Sequence, residues 1–219
     1  MEKEIDYKAL YILQDMVLEI IFSLSNNFYL TGGTALHRFH YNARYSDDLD
    51  FFTYCDDLFG ESVIEVFDVL SEEFEVKHTV KSKEFHRIIV NDLLQLDFVN
   101  DRVHREGKSL IIRGIRVDNK VDILTNKICA ILGRDEAKDF FDLFCLAEFE
   151  EFNWNEVLEI ANKKCKIEKE LFIQRINSFP LSWLKNIKFI KYFEINESMK
   201  KQLCDDVFLE KNNSLVRRS

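Results

Sequence analysis

The chemistry available to this chain rests on a glycine pair and three carboxylates. Gly32-Gly33-Thr34 follows the apolar Phe28-Tyr29-Leu30 and leads into a helical stretch. A short turn of this kind exposes backbone N–H groups at a helix start, where a phosphate can sit. Asp48 and Asp50 bracket Leu49 in an apolar strand, and their i, i+2 spacing sends both carboxylates to one side of a sheet. Neighbouring carboxylates repel unless a cation neutralises them. A third acid, Asp97, interrupts the apolar run Leu94–Val99, an expensive place for a charge unless it is paired, hydrogen-bonded or metal-bound. If the two strands are neighbours, Asp48, Asp50 and Asp97 converge on Mg²⁺. One ion would activate an attacking hydroxyl, and another would hold a triphosphate and its leaving pyrophosphate. The plainer reading makes Asp47, Asp48 and Asp50 surface acids and Asp97 an edge-strand charge; the phosphate cradle upstream argues against it. A calcium loop is poorly supported, because the spacing after Asp48 lacks the required glycine and terminal glutamate. The expected chemistry is that of an enzyme handling a nucleoside triphosphate.

A second charged cluster lies further along. Lys127 and Arg134 are two turns apart, and Asp139 and Asp142 share one helical face at i, i+3, with Lys138 beside them. Cations placed this way could neutralise phosphate charge developing in a transition state. A helix–helix salt-bridge layer is the alternative. Arg44 could hold phosphate or pair with Asp48, whereas Ser46 fits best as a structural residue bonding the backbone. His37 and His40, without an adjacent Glu or Cys, read as surface or capping residues.

The elements that must position these groups are legible as periodicities. Residues 5–25 repeat apolar side chains at helical spacing, 28–30 form a short strand, and 34–41 start a helix. A strand covers 49–53, and a helix covers roughly 58–71, capped by Asp56 or Asp57. Apolar runs at 74–80, 85–90 and 93–99, with Asn91-Asp92 as a tight turn, predict an antiparallel meander. Composition shifts near residue 118, after which every apolar pattern is helical, broken by Pro180, and the tail after about 211 is expected to fray. This places a nucleotidyl-handling α+β domain at 1–117 and a helical domain at 118–219.

The 219 residues carry 47% hydrophobic and 32% charged side chains, which excludes a disordered chain. No apolar run approaches a membrane span, and Met1–Glu4 lacks the order of a signal peptide. Five cysteines without a CxxC pair argue against a complete disulfide framework and for a reducing cytoplasm, with Cys129 and Cys145 as small core residues. The net charge of −9 is uneven, since basic residues dominate after residue 162 and again at Arg102, Arg105, Lys108, Arg113, Arg116 and Lys120. Such patches could meet RNA or triphosphate, or could be solvated faces.

Thr31-Gly32-Gly33-Thr34-Ala35-Leu36, followed by Arg44-x-Ser46-x-Asp48-Leu49-Asp50-Phe51, resembles motif I of the AbiEii-type nucleotidyltransferases. These are toxins of abortive-infection and type IV toxin–antitoxin systems within the DNA polymerase β-like superfamily. Lys127 and Arg134-x-x-x-Lys138-Asp139-x-x-Asp142 resemble that family's C-terminal motifs, so the likeness spans residue 30 to about 146. It implies a polymerase β-like mixed or antiparallel sheet with flanking helices, followed by a helical domain closing over the nucleotide. It implies Asp48, Asp50 and Asp97 as metal ligands for Mg²⁺ or Mn²⁺, Lys127 as a nucleotide contact and Asp139 as an essential residue. Gly32, Gly33, Thr34, Arg44, Ser46, Arg134, Lys138 and Asp142 would line the substrate. Gly-Gly-Thr stands where Gly-Ser is usual in the wider superfamily, which separates this chain from antibiotic-modifying relatives. The implied reaction moves NMP from an NTP to an acceptor hydroxyl, with RNA such as a tRNA 3′ end as acceptor and a cognate antitoxin as partner. A protein or antibiotic hydroxyl is the alternative acceptor, and a non-catalytic nucleotide- or partner-binding module the alternative class.

Overall fold

The computed structural model describes residues 5–191 and 193–217; Met1–Glu4, Tyr192 and the last two residues of the tail lie outside the described residues. The chain sorts into two compact units. One comprises Met1–Phe39, Tyr45–Arg102 and Lys108–Asp118; the other comprises His40–Arg44, Val103–Gly107 and Asn119–Ser219. Two short segments from the first half of the chain therefore belong to the helical unit.

The first unit opens with α1 (Tyr7–Ser23), capped by Asp6, whose carboxylate accepts from Lys8 N at 3.0 Å and Ala9 N at 3.2 Å. Its buried stripe includes Leu10, Leu13, Val17 and Ile21. Next come β1 (Tyr29–Thr31), the helical turn α2 (Gly32–Thr34) running on as a π-helical segment (Ala35–Tyr41), β2 (Leu49–Tyr54) and α3 (Phe59–Glu73). Asp56 accepts from Leu58 N at 2.9 Å, tying the start of α3 from just outside the helix. The meander β3 (Val76–Lys81), β4 (Phe85–Val90) and β5 (Leu94–Asp101) follows, then the hairpin β6 (Leu110–Ile112) and β7 (Ile115–Val117).

These strands form one seven-stranded sheet in the order β3-β4-β5-β2-β1-β7-β6. β2 pairs parallel with β5, and β1 parallel with β7, while the remaining neighbours are antiparallel. The α+β class and mixed sheet expected from the sequence are present. The β6–β7 hairpin falls where the sequence shows a basic patch, yet Arg113-Gly114, both at positive φ, make the primed turn that suits a two-residue hairpin. Beneath the sheet, Phe51 stacks on Phe98 with centroids 5.0 Å apart, and Phe28 meets Phe98 edge-on at 5.0 Å. All three rings are fully buried, which explains part of the chain's phenylalanine content.

The helical unit contains α4 (Lys120–Gly133), α5 (Ala137–Phe149), α6 (Trp154–Lys164), α7 (Lys169–Ser178), a 3₁₀ turn (Leu181–Asn186) and α8 (Glu197–Phe208). α5 is central, with Phe140, Phe141, Leu143, Phe144 and Leu146 all at 0% exposure. A helix buried on every side, Asp139 and Asp142 included, belongs inside a bundle. Cys129 is joined to Cys165 in a disulfide, so the expectation of two plain core cysteines holds for Cys145 and fails for Cys129. His37 is fully buried, not at the surface. The tail does not fray over 211–217: Asn213 donates to Ala147 O at 2.6 Å and Glu150 O at 2.9 Å, and Leu215 is buried. Much of the basic segment is satisfied within its own unit. Arg102 pairs with Glu84, Arg116 donates to the Asn26 and Phe28 carbonyls, and Lys120 reaches Glu150 at 2.6 Å. Among the described residues no helix is long and apolar enough to cross a membrane.

Candidate active site

In the sheet unit, register gathers the acids. Asp50 on β2 lies directly opposite Asp97 on β5, Asp97 opposite Arg87 on β4, and Asp50 opposite Thr31 on β1. Residues paired across a sheet share a face, so Arg87, Asp97, Asp50 and Thr31 form one polar row, with Phe51 and Phe98 on the reverse face. Asp48 sits one residue before β2, and both it and Asp50 are partly exposed.

The glycine turn is fastened to this row. Gly32 has φ +69°, the left-handed region that favours glycine, and a Cβ there would overlap the Asp50 carboxylate. Thr34 Oγ1 donates to the Asp48 carbonyl at 2.5 Å, and Gly33 and Thr34 are buried. Thr31 Oγ1 donates to Asp118 at 2.8 Å, anchoring the end of β1. Ser46 is held by its backbone: its carbonyl accepts from Gln14 Nε2 at 3.0 Å and its N–H donates to the Tyr11 hydroxyl at 3.2 Å. The sequence pattern thus folds into a turn whose missing side chain leaves room for the Asp50 carboxylate.

Arg87 is the residue that pattern reasoning missed. Its guanidinium forks onto both Asp97 oxygens at 2.7 Å each, and Gln95 Nε2 adds a bond at 3.2 Å. The hydrogen bond to Asp97 holds Arg87 above its ordinary pKa against the opposing effect of burial, and the charges of Asp97, Asp48 and Asp50 add to it. Strand alternation marks Arg87 as sharing a face with the polar row, but only the β4–β5 register shows what it faces. Among the described residues no three His, Cys, Asp or Glu side chains are gathered to hold a metal. The oxygen donors of Asp48 and Asp50 suit a hard divalent cation. Asp97, opposite Asp50, gives its oxygens to Arg87 instead.

The helical unit carries the second cluster as one continuous chain of ion pairs. Arg44 grips Asp142 with Nε at 2.7 Å and Nη2 at 2.8 Å. Lys127 Nζ reaches Asp142 at 2.7 Å and Asp139 at 2.7 Å, and Arg134 Nε meets Asp139 at 2.7 Å. Asp139 and Asp142 are fully buried, Lys127 nearly so, while the Arg134 side chain is 54% exposed. Burial alone would lower Lys127, yet Asp142 and Asp139 outweigh it and hold the ammonium above its ordinary pKa. Burial pushes Asp139 upward, but Lys127 and Arg134 bring the carboxylate below the usual range. Arg44, offered by the sequence as a phosphate holder or a partner of Asp48, has Asp142 as its bidentate partner. Lys138 is half-buried at the start of α5.

The comparisons with known proteins fit this arrangement. The family model described as "Nucleotidyl transferase AbiEii toxin, Type IV TA system" matches residues 18–206. The uncharacterized protein aq_aa25 of Aquifex aeolicus (strain VF5) is 34% identical over 157 residues, covering 69% of this chain and 73% of that protein. The crystal structure of JHP933 from Helicobacter pylori is 20% identical, with a TM-score of 0.55 over 84% of this chain and 79% of that one. A second H. pylori structure, put forward as a nucleotidyltransferase, is 19% identical with a TM-score of 0.53, over 84% of this chain and 81% of that one. At these identities the two structures share the fold. The chain belongs to the AbiEii family of nucleotidyl transferase toxins of type IV toxin–antitoxin systems.

Proposed function

We propose that this nucleotidyltransferase moves NMP from an NTP to the hydroxyl of an RNA, such as a tRNA 3′ end, in a Mg²⁺- or Mn²⁺-dependent reaction that releases pyrophosphate. The observation that carries the site is the fit of Gly32 against the Asp50 carboxylate in a row that continues through Asp97 to Arg87. Asp48 and Asp50 would hold the divalent cation, with Asp97 completing the set when Arg87 releases it. That cation, when bound, supplies charge neutralisation at the phosphates and lowers the pKa of a coordinated hydroxyl.

The chain's own groups do the rest. The turn at Gly32, Gly33 and Thr34 offers backbone N–H groups to phosphate oxygens. Arg87, displaced from Asp97, is a guanidinium already suited to a bidentate phosphate contact. Lys127 stays charged because Asp139 and Asp142 hold its proton, and these acids fix it in one orientation. In that chain of contacts three cations meet two carboxylates, and the exposed member, Arg134, carries positive charge that a phosphate would meet. Ser46 and Arg44 position segments through their bonds to Tyr11, Gln14 and Asp142. A cognate antitoxin is the partner that membership of the toxin family supports.

Incubating the protein with each α-labelled NTP, Mg²⁺ and total RNA, beside Asp48→Ala and Asp50→Ala, tests this. Label should enter RNA with the unaltered protein alone. Label on added protein or drug and none on RNA would refute the RNA acceptor, and transfer surviving both substitutions would refute the site.

A further inference from the structure

A cavity of about 360 Å³ opens in the helical unit, lined by Asp135, Glu136, Lys138, Trp183 and Asn186 among others. Trp183 is 43% exposed, whereas Trp154 is fully buried. An indole left half in water beside polar groups forgoes burial its unit could have supplied, and such aromatics mark recognition surfaces. The ring is also held in place. Phe179 meets it edge-on at 6.1 Å and itself stacks at 4.0 Å on the buried Phe140. Lys200, itself buried, donates to Asn177 O at 3.1 Å and Phe179 O at 2.9 Å, pinning the backbone that leads into the Trp183 turn. A platform fixed in advance loses little entropy when a ligand stacks on it.

The charges around it suit a polynucleotide. Lys185, Lys188 and Lys191 are all exposed along the segment that follows Trp183, and Lys138 lines the cavity. Asp135 is engaged by Arg175 at 3.2 Å, which offsets its repulsion of phosphate. Glu136 and Asn186 offer a carboxylate acceptor and an amide to the edge of a base. A single aromatic face with flanking cations reads unpaired bases, because a base inside a duplex has no free face.

We propose that this cavity takes one nucleobase of a single-stranded RNA acceptor, stacked on Trp183, with the following lysines along the adjoining phosphates. The assignment rests on the RNA-acceptor reading above. Its test uses the full chain, 5′-labelled four-nucleotide RNA homopolymers followed by anisotropy, and steady-state NMP transfer to total RNA, for the unaltered protein, Trp183→Ala and Trp183→Phe. Trp183→Ala should weaken oligonucleotide binding and raise KM for RNA by about 10-fold, the scale of one lost stack, while leaving KM for the NTP in place. Trp183→Phe, which keeps an aromatic face, should recover most of that loss. In the unaltered protein the oligonucleotides should also quench the emission of the exposed indole. An unchanged RNA KM in a folded Trp183→Ala variant that still labels RNA would overturn the cavity alone. A raised KM for the NTP in its place would reassign the cavity to the free nucleotide and overturn the proposal. Failure of the unaltered protein to label or bind any RNA would remove the reading on which it rests.

Discussion

Gly32→Ala adds one methyl group, and its consequences separate into two effects of different size. The first is conformational: at φ +69° an L-residue is strained, at a cost of about 1–2 kcal/mol. For a chain of this length that lowers Tm by roughly 2–8 °C. The second is steric. The new Cβ would overlap Asp50 Oδ2 and lie 3.1 Å from its Cγ, so the carboxylate must move by about 1 Å, a misplacement that can cost ~10²-fold in rate. Gly114→Ala isolates the first effect, because Gly114 also has positive φ, +81°, with nothing within 4 Å of its Cβ position. Initial rates of labelled NMP transfer and thermal denaturation, measured side by side, read both. The expectation is a similar Tm loss in the two variants and a collapse of transfer in Gly32→Ala alone. A folded Gly32→Ala protein transferring within about threefold of the unaltered rate would refute the placement of Asp50 at the reaction centre.

Three further outcomes follow from the charged groups. Lys127→Met leaves Asp139 and Asp142 buried without their shared cation and should destabilise by about 3–5 kcal/mol in urea titration; a loss below about 1 kcal/mol would mean the ion-pair chain contributes little. Acidification acts in two windows. His78 and His86, 3.0 Å apart, are both held below the ordinary histidine pKa, chiefly by burial. The unfolded chain therefore takes up protons first, and stability should fall as pH drops through about 6.5. Asp139 is depressed, so its contribution is present above about 3.9 and lost as pH falls through its lower folded value, a limb that Asp139→Asn should remove from a pH-dependent unfolding series. Arg87→Met removes the guanidinium fork from Asp97 and leaves only the Gln95 bond, so added MgCl₂ should raise Tm more in this variant than in the unaltered protein, and an equal rise in both would show that Arg87 does not compete for the site.

The local chemistry was legible because it is periodic or conformational. Leu49 and Phe51 alternate with Asp48 and Asp50, and that alternation alone separates a polar face from a core face. Asn91-Asp92, both at positive φ, close the β4–β5 hairpin as residues that tolerate that region. Gly-Gly-Thr marked a turn that needs glycine, and the spacing of Lys127, Arg134, Asp139 and Asp142 marked a helical charge cluster. Period assigns a side chain to a face without naming its neighbour across the sheet or bundle. Tertiary structure alone set β2 parallel to β5, which put Asp50 opposite Asp97, and gave Asp97 the Arg87 fork. It paired Arg44 with Asp142 across 98 residues, joined Cys129 to Cys165, buried His37 and held the tail with Asn213. Each of these is a contact between distant residues, decided by how layers pack and which buried charges find partners, and neither is written in the local repeat of apolar side chains.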